Sequence, residues 1–195
     1  MSAVRNRRLN RRRILVQAFL LVAFAPGARA DDGLFDTQGY RRARYRAAID
    51  RLPDPAARIT MAAALEWGDD ALFLDVLPAE GALRDAGSGH WTLAEPHETI
   101  PGALWFPEVG RAPVDPALWR ALTGRVAAWR RDHPHGPIVV FCRADCWMSW
   151  NAARRLAREG VAGVTWLPEG IDGWHDAGRA LVAVVPEPAA ANGTR

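Results

Sequence analysis

The chain contains no lysine and only two cysteines in 195 residues. All 25 basic residues are Arg, and seven of them lie in residues 1–30, a segment without a single Asp or Glu. The rest of the chain carries 18 basic and 22 acidic residues, a net charge of −4. The basic patch that a nucleic-acid partner wants is therefore missing from the bulk of the sequence. A chain this long buries a core without disulfides, so a single bridge is not needed for stability. A c-type haem is excluded, because no Cys-x-x-Cys-His occurs. The apolar run "ILVQAFLLVAFAP" falls short of the roughly 20 residues that a membrane span takes. Internal repeats are absent.

The uneven charge has a reading of its own. "MSAVRNRRLNRRR" is a basic n-region, the apolar run is an h-region, and Ala28-Arg29-Ala30 is an A-x-A cleavage pattern. Residues 1–30 are thus expected to be a signal peptide cleaved near Ala30, with no stable membrane span after cleavage. "NRRRIL" is weakly similar to a twin-arginine export signal, and the sequence does not separate that route from the general one. Export directs the protein to the periplasm, an oxidising compartment where two thiols rarely stay unpaired without help.

Residues 31–69 read as a polar, Arg-rich arm followed by a short helix that ends near Gly68. Residues 71–76 form a run that is apolar apart from Asp75 and is stopped by Pro78, which predicts a buried strand. A second short strand is expected between Pro101 and Pro107. Leu118, Leu122, Val126 and Trp129 recur at helical spacing, with Asp115 as N-cap and Pro116 at the first helical position. "PIVVF" predicts a strand, "SWNAARRLAREG" a helix capped by Ser149 and closed by Gly160, "GVTWLPEG" a strand, and "IDGWHDAG" a helical turn. Residues 186–195 read as a disordered tail. Alternating strands and helices predict an α/β fold: a mostly parallel central sheet with helices on both faces. Ligands of such sheets sit outside the carboxyl ends of the strands. Cys142 stands at one of those ends.

Both cysteines fall in "FCRADCWMSWNAARRL", where a strand turns into a helix. The stretch and its flanks resemble a rhodanese-like domain over residues 70–185. "LFLDVLPAE" is similar to that family's strand ending in Asp-Val, here Asp75-Val76. "IPGALWFP" is similar to its His-Ile-Pro-Gly-Ala segment, with Thr99 where His is usual. "VVFCRADCWMSWNAARRL" corresponds to the strand, cysteine loop and helix, and "VTWLPEGIDGW" with "AGRAL" to the closing segment. The combination of "GYR", "IPGALWFPEVG", "DCWMSWNAA" and "PEGIDGW" is closer still to the exported proteins named for PQQ-dependent catabolism and a CXXCW motif. Here the spacing is Cys-x-x-x-Cys-Trp.

The resemblance implies a reactive loop acting in sulfur transfer or thiol redox, accessory to PQQ-dependent (quinoprotein) alcohol catabolism. Cys142 would be the nucleophile, holding sulfane sulfur as a persulfide, and Cys146 the resolving thiol. Arg143, Asp145, Trp147, Met148 and Ser149 would line the substrate site. The expected partner is a small sulfur or thiol substrate, or a periplasmic quinoprotein dehydrogenase or cytochrome. No cofactor is assigned beyond an indirect link to PQQ. Backbone N–H groups at a strand-to-helix turn favour negative charge, so a depressed Cys142 pKa is expected. The family's anion-holding Arg is absent: Cys146 and Trp147 stand there, and Asp145 repels thiosulfate and phosphate. Met148 occupies the Arg position of the related phosphatase loop, which argues against that activity.

Other readings of these residues stay open. A structural disulfide would close a very short loop and add little. A metal would need further ligands from His97, His175 or Asp145. Trp147 and Trp150 are either packing residues or a lid for a quinone, in which case the protein would bind a cofactor or partner without being an enzyme. Asp75 reads as a hydrogen-bonding residue at a strand end. Glu169, Asp172 and Trp174 either line the pocket or form a capped turn. His175 is expected to face solvent.

Overall fold

The computed structural model describes residues 33–44, 46–47 and 49–189. The leader expected over residues 1–30 lies outside them. Five short parallel strands form the central sheet: β1 (Ala57–Arg58), β2 (Leu72–Asp75), β6 (Leu104–Trp105), β7 (Ile138–Phe141) and β8 (Val164–Leu167). Their order is β1-β8-β7-β2-β6, so β7 is the central strand. It pairs on one side with β2 (Leu72 opposite Ile138, Asp75 opposite Phe141) and on the other with β8.

The strands β2, β7 and β8 are buried along their whole length. Alternation still divides their side chains, because successive residues point to opposite faces. Leu72, Leu74, Ile138 and Val140 pack with α2 (Pro116–Asp132) and α3 (Met148–Arg158). Phe73, Val139, Phe141 and Leu167 pack instead with α1 (Met61–Trp67) and α4 (Gly170–Asp176). The α/β expectation with both faces covered is met, and in the described sheet every pairing is parallel. Cys142 continues the alternation onto the α2/α3 face.

Local signals explain most boundaries. The Asp115 carboxylate accepts the Ala117 N–H at 2.7 Å, and Pro116 opens α2 with φ already helical. Thr60 caps α1, and Gly68 ends it at φ 48°. The helix after the cysteines differs from its expected form. It begins at Met148, and its N-cap position is Trp147, with no side-chain cap. Ser149 is inside the first turn, where its hydroxyl serves tertiary partners. Two small antiparallel pairs were not expected: β3 (Leu83–Arg84) with β4 (Trp91–Thr92), and β5 (His97–Thr99) with β9 (Val182–Val184).

Both ends of the described chain are docked. The arm lies on α3 and the cysteine loop. Tyr40 is buried, with the guanidiniums of Arg155 and Arg158 at 4.5 and 5.8 Å from its ring centre. The tail expected from residue 186 is held at first: the Glu187 N–H donates to the Trp105 carbonyl at 2.8 Å, and Ala189 is buried. The bridge between Trp105 and Pro186 gives these residues a place on the exposed edge of β6. Residues 190–195 lie outside the described set. Among the described residues, no helix is long and apolar enough to cross a membrane.

Candidate functional site

Cys142 follows directly on the last residue of the central strand. The chain then reverses: the Cys146 N–H donates to the Arg143 carbonyl at 3.1 Å, closing a turn over residues 143–146. Two contacts clamp this turn from the start of α4. The Ile171 N–H donates to the Cys142 carbonyl at 2.9 Å, and the Asp172 carboxylate accepts the Ala144 N–H at 2.8 Å. Gly170 makes the approach possible. Its φ is +53°, and a Cβ there would stand 2.2 Å from the Cys142 oxygen. Of the expected lining residues, Asp172 thus touches the loop. Glu169 pairs instead with Arg58 at 3.3 Å, and the Trp174 indole donates to the Ala180 carbonyl. His175 faces solvent.

The two thiols are close neighbours and both are buried, Cys142 completely and Cys146 to 5% exposure. The Cys142 Sγ lies 3.1 Å from the Cys146 carbonyl and 3.0 Å from Ser149 Oγ. Ser149 Oγ also accepts the Trp166 indole N–H at 3.0 Å. An indole can only donate, so the Ser149 hydrogen remains free to point at the sulfur. The electrostatics differ from the expected thiolate cradle. Burial pushes the Cys142 pKa well above the ordinary thiol value, and the neighbouring Cys146 thiol pushes it further. The Ser149 hydroxyl and its backbone N–H pull the other way and do not compensate. Loss of water outweighs one hydroxyl and one N–H group.

The remaining candidates separate by exposure. Trp147, Met148 and Ser149 are buried in the core behind the loop. Arg143 is a third exposed, and Asp145 pairs with Arg46 of the arm at 2.7 Å. Arm and loop are bound to each other by backbone as well. Arg46 and Cys146 form an antiparallel bridge, the Trp147 indole donates to the Arg44 carbonyl at 2.8 Å, and the Trp150 indole donates to the Arg51 carbonyl at 2.9 Å. Asn151, fully buried, completes the strap: its Oδ1 accepts the Arg41 N–H at 2.9 Å, and its Nδ2 donates to the carbonyls of Arg41 and Gly110 at 2.7 and 2.8 Å. Sequence reading did not single out Asn151, whose partners are backbone groups of distant loops.

A second group of polar residues gathers beside the loop. Asp75, fully buried at the end of β2, accepts the Leu77 N–H at 2.8 Å, the Thr99 hydroxyl at 2.6 Å and His97 Nε2 at 2.7 Å. Its expected role as a hydrogen-bonding strand terminus fits this geometry. His97 lies far from the thiols in sequence, and β5 brings it to this sheet edge. Among the described residues, no three His, Cys, Asp or Glu side chains converge as a metal site would require. No protein-family model and no curated protein matches the chain.

Proposed function

We propose that this is an exported, rhodanese-like protein whose Cys142–Cys146 pair acts in thiol redox, or in sulfur transfer ending in an internal disulfide. Its setting would be the periplasm, accessory to quinoprotein alcohol catabolism. The observation that carries the reading is the juxtaposition of both thiols in one turn at the carboxyl end of the central strand, with Cys142 Sγ 3.1 Å from the Cys146 carbonyl. In the chemistry this permits, the Cys142 thiolate attacks a substrate disulfide and expels one thiol. Cys146 then attacks the mixed disulfide, expels the second thiol and leaves a Cys142–Cys146 disulfide. Starting from a persulfide on Cys142, the same attack releases hydrosulfide. Asp145 and the missing anion-holding Arg favour this redox route over simple thiosulfate chemistry. Either route needs an opening, since Cys142 has no access to solvent, and the arm bound to Asp145 and Cys146 is the element whose release we propose.

That same burial favours a second reading. A fully buried thiol in the same core cluster as Trp147 and Trp150 suits a non-enzymatic protein that binds a cofactor or a partner of the quinoprotein system. One experiment separates the two. The mass of protein purified from the periplasm is measured with and without reductant. A loss of about 2 Da marks the disulfide and a gain of about 32 Da a persulfide. The Cys142→Ser variant should show neither change while keeping the fold. Unmodified thiols that fail to react with disulfide or polysulfide would overturn the redox proposal. Binding of PQQ or a dehydrogenase by the same inert protein would support the second.

A further inference from the structure

We infer that the cavity beside the cysteine loop is a binding site for a short hydroxycarboxylate, independent of the thiols. The cavity measures about 250 Å³ and opens at the carboxyl end of β2, the side of a parallel sheet where ligands bind. Its size suits a small metabolite rather than a dinucleotide or a peptide. Leu77, Glu80, Glu95, His97, Trp105 and Arg143 are among its walls. Neither cysteine is one of them.

Two nitrogens on these walls lack a hydrogen-bond partner. The first is on Arg143, whose Nε has no hydrogen-bond partner and whose side chain, a third exposed, lines the cavity. Asp145 Oδ1 stands 4.0 Å away, too far to accept a hydrogen bond. The second is His97 Nδ1. The Asp75 carboxylate can only accept, so Nε2 carries a proton, and in the ring form with a single proton Nδ1 is the acceptor. Ring orientation is held as well: the Trp105 ring centre lies 4.2 Å from that of His97, and the Trp105 indole is itself bonded to the Leu77 carbonyl at 2.7 Å.

The complement of this wall is a molecule with an anionic acceptor for Arg143 and an O–H donor for His97. A guanidinium recognises a carboxylate with charge-assisted hydrogen bonds. The partly buried side chains of Leu77 and Leu93 offer an apolar wall to a short carbon chain. Glu80 and Glu95 repel a second negative charge, so a monocarboxylate is favoured over a dicarboxylate.

Calorimetric titration of the purified chain with glycolate, acetate and malate tests the assignment. Glycolate should bind saturably with a Kd of about 1 mM or lower, and acetate and malate about tenfold more weakly. Arg143→Gln should weaken glycolate and acetate alike by about tenfold. His97→Gln should reduce glycolate to the acetate level and leave acetate unchanged. Imidazole nitrogen NMR on the unmodified chain keeps the test open should that variant not fold: glycolate should shift the His97 Nδ1 resonance, and acetate should not. The inference is overturned by absent saturation with glycolate up to about 50 mM, far beyond the affinity expected. Equal affinities for glycolate and acetate, or an Arg143→Gln variant that binds like the parent, would overturn it as well.

Discussion

Cys142 shows how burial and polarity compete at a single sulfur. The turn supplies a Ser149 hydroxyl and an N–H, both of which favour the thiolate, yet desolvation and the second thiol raise the pKa. The consequence for reactivity is direct: the labelling rate of Cys142 should rise with an inflection above about pH 8.5, the ordinary thiol value. Stability carries the same signature. Between the unfolded and the folded pKa, the unfolded chain has lost a proton that the native chain keeps. The native state then binds more protons, so stability falls as pH rises. This contribution is complete below about pH 8.5 and disappears as pH climbs towards the raised folded value. The guanidinium midpoint of the parent should therefore drop more between pH 7 and 9.5 than that of Cys142→Ser, which cannot titrate. Identical slopes in the two proteins would show that the sulfur is not desolvated as described.

At the level of elements, the arm and α3 form the working unit around the thiols. The Arg46–Asp145 pair is half exposed on both sides and contributes under about 1 kcal/mol. Asn151 is different, because it is fully buried and satisfies three backbone groups. Asn151→Ala leaves those groups unpaired and should cost about 2–4 kcal/mol in chemical denaturation. It should also speed thiol labelling, since the arm loses its central clamp, whereas Arg46→Ala should do little to either. Much of this region was legible in advance. The strand before Cys142, the helix after it and the Asp115 cap all follow from apolar runs and capping residues. The strap was not legible, because its acceptors are the backbone carbonyls of Arg41, Arg44 and Arg51, which any residue would supply. Serine favours the N-cap position, which is why the sequence predicts Ser149 there. In the fold, Cys142 and Trp166 claim its hydroxyl. The pairs β3–β4 and β5–β9 are two or three residues long, too short for a periodic signal. The meeting of His97 with Asp75 depends on one of them.

For the whole molecule, the question is which motion brings Cys142 to solvent. One route is global unfolding, which exposes both faces of the sheet. The other is local release of the arm, which is anchored largely by polar contacts and a few rings, with Leu52 well exposed. The two routes differ in the surface they uncover, and denaturant sensitivity scales with that surface. Thiol labelling measured across a urea series therefore distinguishes them. If the arm opens by itself, the labelling rate should be nearly flat at low urea and should steepen only near the global transition. Asn151→Ala should raise the flat part and leave its slope small. A labelling rate that follows the full unfolding slope from the lowest urea concentrations would mean that arm and sheet open together. The cysteine pair would then be sealed in the native protein, and the redox proposal would lose its route to a substrate.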